Sequence, residues 1–200
     1  MKICIERSDR MGDMILTLPV IQGIKQKNPQ AIIHVVASKK NINICKQFSL
    51  IDKTYEKSTS SSSFNNLINS ITAEKYDYYF TFSPGWFGLR LGFFSRSKFK
   101  SSLILQSRYK SSVFSKLGQI IFSKLFYSVS LVVDRFKSLN TNNNIHQTKM
   151  MNDVVSKSGL KIIKNKITTA IDTKTCDQLK ILFRYKEPAP AIIPPTLYPN

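Results

Sequence analysis

The run Ala31-Ile32-Ile33-His34-Val35-Val36-Ala37 constrains this chain more than any other feature. Its β-branched residues follow one another instead of alternating with polar ones, which marks a strand covered on both faces, as in a parallel sheet. A parallel neighbour needs a crossover, and the residues before the run supply one. Lys2 to Ile5 read as a short buried strand that Glu6-Arg7-Ser8-Asp9-Arg10 breaks at once. Met11-Gly12-Asp13 then turn into a helix in which Leu16, Val20 and Ile24 fall at i, i+4 and i+8 with Ile21 beside them. Asn28-Pro29 stops that helix. Strand, helix and strand fit within 37 residues, the size of a βαβ unit.

The rest of the chain continues the alternation. Ile42 to Phe48 suits a helix, Lys53-Thr54-Tyr55 a short strand, Ser58 to Ser63 a flexible serine loop, and Phe64 to Glu74 a further helix. Tyr76 to Phe82 is an aromatic strand ending at Ser83-Pro84-Gly85. Ser102 to Leu105 suits another strand, His146 to Ser158 a helix closed by Gly159, and Lys166 to Ile171 a last strand, with Asn140 to Asn144 as a loop. The expected fold is α/β, a Rossmann-like open sheet of parallel strands with right-handed crossovers. Five of the eight prolines lie at or beyond Pro188, so residues 1–172 are expected to form one domain and 173–200 an extended proline-rich tail.

Composition closes off several alternatives. A 200-residue chain with 42% apolar residues can bury a core without disulfides or a structural metal. Cys4, Cys45 and Cys176 form no C-x-x-C pair, and with His34 and His146 they make no zinc pattern, which fits a reducing compartment. No run approaches the ~18 apolar residues of a membrane span, and the start is far short of a signal-peptide core. The expectation is a soluble or peripheral protein.

Charge is the other constraint: 30 Lys plus Arg against 12 Asp plus Glu leave a net +18. Between Arg90 and Lys137 there are ten basic residues and one acid, Asp134. Such a segment suits an anionic partner, whether nucleic acid, phospholipid surface or phosphorylated substrate, or else simply a lysine-rich solvated face. Within it Val113, Phe114, Leu117, Ile120, Ile121 and Leu125 recur at helical spacing, with Lys110, Lys116 and Lys124 opposite. A basic amphipathic helix of this kind either lies on an anionic bilayer or packs its apolar stripe on the sheet.

No dinucleotide, Walker, zinc-protease or serine-hydrolase motif occurs. The chemistry-bearing candidate is the turn that leaves the first strand, because ligands of open α/β sheets bind beyond the carboxyl ends of strands. Gly12 lets backbone come close there, and Asp13 at the start of the helix is either a helix cap or an ionised carboxylate able to serve as a general base.

The stretch Arg7-Ser8-Asp9-Arg10-Met11-Gly12-Asp13-Met14-Ile15-Leu16-Thr17-Leu18-Pro19-Val20-Ile21, followed by Asn28-Pro29-Gln30-Ala31 and the strand Ile32 to Ala37, resembles the opening of the family 9 glycosyltransferases, the bacterial lipopolysaccharide heptosyltransferases and their relatives. The strand Tyr76 to Phe82 and a histidine opening a late helix, as His146 does, are softer matches. The resemblance implies the N-terminal half of a GT-B enzyme, which holds the acceptor while a second Rossmann-like domain holds the nucleotide-sugar. It implies inverting, metal-independent transfer with Asp13 as the base and Arg10, Met11 and Gly12 at the acceptor. It also implies a phosphorylated lipid-saccharide acceptor and a place in the cytoplasm, peripheral to the anionic surface of the inner membrane. No cofactor is expected beyond that nucleotide-sugar donor. Two departures stand out: Ser83-Pro84-Gly85-Trp86 replaces the family's polar Gln-Gly turn, and the donor domain with its phosphate-holding loops is missing. The expectation is therefore a truncated enzyme, inactive alone, that has met an early stop or frameshift or is completed by a separate donor-domain chain. The alternative is a basic nucleic-acid-binding or anionic-lipid-binding module without catalysis, and for the former no RNP-like strand, helix-turn-helix or zinc finger can be placed.

Overall fold

The computed structural model describes residues 1–57, 60–83, 85–105, 113–133 and 146–163. Six parallel strands form one sheet in the order β3-β2-β1-β4-β5-β6. They are β1 (Lys2–Arg7), β2 (Ile32–Ala37), β3 (Lys53–Glu56), β4 (Tyr78–Thr81), β5 (Phe99–Leu105) and β6 (Val129–Val133). Seven helices accompany them among the described residues: α1 (Met11–Ile15), α2 (Leu18–Lys27), α3 (Ile42–Gln47), α4 (Ser61–Ala73), α5 (Trp86–Phe94), α6 (Val113–Phe126) and α7 (Gln147–Lys157). The expected parallel pairing is present, with Ile3 opposite Ile33 on one side of β1 and opposite Tyr78 on the other.

Side chains alternate along each strand, so the sheet builds two cores. Ile3, Ile5, Ile33, Val35 and Phe80 pack with Val20, Ile21 and Ile24 of α2, with α3, and with Met151, Val154 and Val155 of α7. Cys4, Val36 and Tyr79 point the other way, onto Leu67 and Ile71 of α4 and Leu89 and Leu91 of α5. Val20, Ile21 and Ile24 are fully buried, and each such side chain contributes about 1.5–3 kcal/mol relative to exposure. His34 belongs to the packing: its Nδ1 lies 2.6 Å from the Tyr76 hydroxyl, and burial lowers its pKa.

Several boundaries differ from the sequence expectation. β1 runs on through Glu6 and Arg7, both fully buried, because their charges find partners inside the fold. The single first helix is two: Pro19 lacks an N–H and its ring crowds the preceding turn, so α1 ends at Ile15 and α2 starts afresh at Leu18. Ser61 to Ser63 are the first turn of α4, where the Ser60 hydroxyl accepts from the Ser63 N–H, so they are no loop. β5 starts at Phe99, three residues before Ser102, and β6 joins the sheet edge without having been expected. Gly159 follows the end of α7 with φ +84°, as its position suggested. The loop expected at Asn140 to Asn144, the strand expected at Lys166 to Ile171 and the tail 173–200 lie outside the described residues.

The largest departure is α6. Of the two readings of its apolar stripe, packing on the sheet is overturned, since Phe114, Leu117, Ile121 and Leu125 are 85%, 53%, 50% and 70% exposed. Small residues face inward instead. Gly118 sits where a Cβ would be 3.1 Å from the Trp86 ring, and the Ser115 and Ser123 hydroxyls bond Trp86 Nε1 and Ser130 Oγ at 3.1 and 2.8 Å. No described helix is long and apolar enough to cross a membrane.

Candidate active site at the strand switch point

β1 is the strand from which the chain order runs both ways: β2 and β3 lie to one side, β4 to β6 to the other. The crevice beyond the carboxyl ends of β1 and β4 is therefore the topological switch point, the usual ligand position in this kind of sheet. Glu6 and Arg7 end β1 there with Ser8 just beyond, and Thr81 ends β4 with Phe82 and Ser83 just beyond.

Glu6 ties the two strands. Its carboxylate accepts from the Ser8 N–H at 3.1 Å, the Ser8 hydroxyl at 2.5 Å and the Thr81 hydroxyl at 2.7 Å. The Ser8 N–H also donates to Ser83 Oγ at 2.7 Å, which locks the loop after β1 to the turn after β4. Gly88 on α5 makes room for this knot, since a Cβ there would overlap Thr81 Oγ1 and Glu6 Oε2.

Arg7 organises the other half. Its guanidinium is fully buried and donates to the Phe82 carbonyl and, at 3.2 Å from Nε, to the Asp13 carbonyl. The same Nε is 3.3 Å from Asp9 Oδ1, and Nη2 is 3.4 Å from Asp13 Oδ1. Gln147, the first residue of α7, closes the ring: with its amide turned to suit its neighbours, Nε2 donates to Asp13 Oδ1 at 3.0 Å and Oε1 accepts from Arg7 Nη2 at 2.5 Å. Behind Asp13 the Thr17 hydroxyl donates to the Asp13 carbonyl at 2.9 Å, and the Asn41 amide donates to the Arg7 carbonyl at 3.0 Å.

One guanidinium thus serves two carboxylates with a third, that of Glu6, nearby. Burial pushes Asp9 up from 3.8 to about 6; Arg7 opposes this, and the charges of Asp13 and Glu6 add to it. Among the described residues no group of three or more His, Cys, Asp and Glu side chains is placed to hold a metal ion. What the crevice offers chemically is a pair of carboxylates fixed by one cation, a setting in which a carboxylate can take a proton from a bound hydroxyl.

The sequence-predicted residues fall into two groups. Asp13 is buried and is the third residue of α1; the N-cap is Arg10, so capping in the strict sense is not its part. Arg10, Met11 and Gly12 form the exposed outer side of the same turn, and nothing lies within 4 Å of where a Gly12 Cβ would be. His146 caps α7, its Nδ1 accepting from the Thr148 N–H at 3.3 Å; the residue that reaches Asp13 is its neighbour Gln147. Sequence reasoning missed Glu6, Arg7, Asp9 and Gln147. The first three stand in plain view as charges next to a buried strand, a pattern that reads as the strand's end.

Asp9 gives a test of this arrangement. Its folded pKa lies above the unfolded one, so its protonated form favours folding, and that contribution is complete below about pH 4 and lost as pH rises through about 6. Asp9→Asn removes the loss. The variant is expected to match the native chain near pH 4 and to exceed its stability by on the order of 2 kcal/mol at pH 7, read by denaturant unfolding at both values. Equal stabilities at pH 7 contradict a strained carboxyl pair.

Comparison with known proteins bears on the fold. No family model and no curated protein matches the chain. Solved structures do. A glycosyl transferase family 9 protein from Veillonella parvula DSM 2008 matches over 80% of this chain and 41% of its own, at 18% identity and a TM-score of 0.58. The E. coli heptosyltransferase WaaC matches with ADP bound, over 83% of this chain and 49% of its own, at 15% identity and 0.59. Its form with ADP-2-deoxy-2-fluoro heptose matches over 86% and 54%, at 14% identity and 0.61. The described unit shares its fold with these glycosyltransferases. The family 9 resemblance of the first turn thus coincides with a glycosyltransferase fold, although this chain spans only about half the length of the structures it matches.

Proposed function

We propose that residues 1–172 are the acceptor-side half of an inverting glycosyltransferase. The observation that carries the reading is the position of Asp13, held by Arg7 and Gln147 beyond the carboxyl ends of β1 and β4 in a fold shared with sugar-nucleotide transferases. In the proposed step an Asp13 carboxylate oxygen takes the proton of an acceptor hydroxyl. The acceptor oxygen forms a bond to the anomeric carbon of the donor from the face opposite the leaving group, the bond from that carbon to the diphosphate oxygen breaks, and the nucleoside diphosphate leaves with the electron pair. Arg10, Met11 and Gly12, on the open side of the turn, bind the acceptor, a phosphorylated lipid-saccharide of the lipopolysaccharide core type at an anionic cytoplasmic membrane surface.

The donor is held by a unit other than the six-stranded sheet. WaaC was solved with ADP and with an ADP-heptose analogue, while this chain spans 49% and 54% of those structures. Holding two reactants about 3–3.5 Å apart supplies ~7–11 kcal/mol of barrier reduction, more than a base alone provides. By calorimetry the 200-residue chain is therefore expected to bind a phosphorylated, deacylated core saccharide, to show no binding of ADP-heptose, and to transfer sugar only when a donor half is added. Binding of the nucleotide-sugar without the saccharide reverses the assignment of sides and refutes the proposal.

A further inference from the structure

The apolar stripe of α6 faces away from the protein, and that inversion needs an occupant. Phe114, Leu117, Ile121 and Leu125 are spaced by three, four and four residues, so they line one side of the helix, and the exposed rings of Phe94 and Phe126 extend the surface. The helix does not lack inward contacts, for Phe122 packs edge-on and tilted against Trp86 and Phe93, with ring centroids 5.7 and 5.6 Å away, and Ser115, Gly118 and Ser123 fit against α5 and β6. Its outer face is thus a surplus apolar surface on a helix already anchored.

Charge decides what fits it. From Tyr78 to Val133 the sequence contains no Asp or Glu, whereas Lys116 and Lys124 lie on α6 itself and Arg90 is exposed on α5. A protein surface complementary to an apolar stripe normally brings a rim of both signs, but this rim carries one sign only. Acyl chains beneath a layer of negative headgroups meet both demands at once: the stripe enters the boundary region and Lys124 stays among the phosphates.

We propose that the outer face of α6 docks on an anionic lipid bilayer through Phe114, Leu117, Ile121 and Leu125, with the exposed Lys124 beside them at the headgroups. This deepens the functional reading above, resting on its membrane-surface acceptor and not on sugar transfer.

The test is flotation of the full 200-residue chain with vesicles of phosphatidylcholine and phosphatidylglycerol against vesicles of phosphatidylcholine alone. The single tryptophan, Trp86, packs under α6 and gives a second readout by its emission. Binding to the anionic vesicles that weakens as salt rises is expected. A lysine near the surface accounts for about a fivefold change in partitioning, so K124Q is expected to bind about fivefold more weakly, and K116Q, on the inward side of the helix, nearly as tightly as the native chain. L117Q/I121Q removes apolar surface from exposed positions, leaves the fold intact by circular dichroism, and is expected to reduce binding by at least about tenfold. Equal binding to neutral vesicles, no binding to either, a dimer that L117Q/I121Q dissolves, or preference for DNA over lipid each overturns the proposal. Asp13→Asn is expected to bind vesicles like the native chain. If transfer with a donor half persists while vesicle binding is absent, the docking surface is wrong and the transferase reading stands; vesicle binding without transfer keeps the docking surface and removes the transferase reading.

Discussion

Replacing Arg7 by Met is expected to lower the stability of the chain by about 3–5 kcal/mol at pH 7, the usual cost of removing one partner from a buried ion pair. The side chains are similar in length, so little cavity is created, and the loss comes from charge. Without the guanidinium, Asp9 and the buried Asp13 lose the ion pairs it makes with them next to Glu6, and the Phe82 carbonyl loses a donor. For a domain of this size the loss corresponds to a melting temperature lower by roughly 6–20 °C. The same variant compared near pH 4, where Asp9 is protonated, is expected to show a smaller deficit, because less uncompensated negative charge is then trapped. A deficit below about 1 kcal/mol at pH 7 is incompatible with the buried cation holding the crevice together.

The second large effect is on rate. In a chain supplemented with a donor half, Asp13→Asn is expected to slow sugar transfer by about 10²- to 10⁴-fold, the range a positioned base supplies, with acceptor affinity little changed. Stability should move far less than in the Arg7 variant, since Arg7 retains Asp9 as a partner. Asp9 itself reports on the substitution. The Asp13 charge helps to raise it, so in Asp13→Asn the Asp9 carboxyl is expected to titrate lower, measurable by carbon-detected NMR. An unchanged rate with a lowered Asp9 titration leaves Asp13 a structural partner of Arg7 and nothing more.

The parallel sheet was legible because the residues that specify it are of one kind. A β-branched run such as Ile32 to Ala37 has few alternatives, and once it pairs with the first strand the handedness of the crossover follows. The place of Asp13 was legible because the turn leaving the first strand lies beyond the carboxyl ends of the sheet, while its role as a base was implied only by the family resemblance. The partners of Asp13 were not. Periodicity treats a charge as a solvent-facing residue, so Glu6 and Arg7 looked like the end of β1, although three donors around Glu6 make its burial tolerable. Gln147 comes from a helix 134 residues beyond Asp13, and nothing in either local pattern records their meeting. α6 failed for a different reason. Its period was correct and its orientation was not, because helical spacing tells which side of a helix is apolar without saying whether protein or something else lies on that side.

The strand order also sets a problem of timing during synthesis. Of the six strands β1 leaves the ribosome before the others and ends between β2 and β4, so it remains half paired until β4 has been made. Glu6 and Thr81, whose contact closes that second edge, are 75 residues apart, which at about 5–20 residues per second is a delay of roughly 4–15 s. Through that interval the nascent βαβ unit presents an open row of backbone donors and acceptors and a buried-type arginine without its Phe82 partner. A strand ending in Glu6 and Arg7 presents charges at that open edge, which makes it less adhesive to a neighbouring chain than one continued in valine and isoleucine.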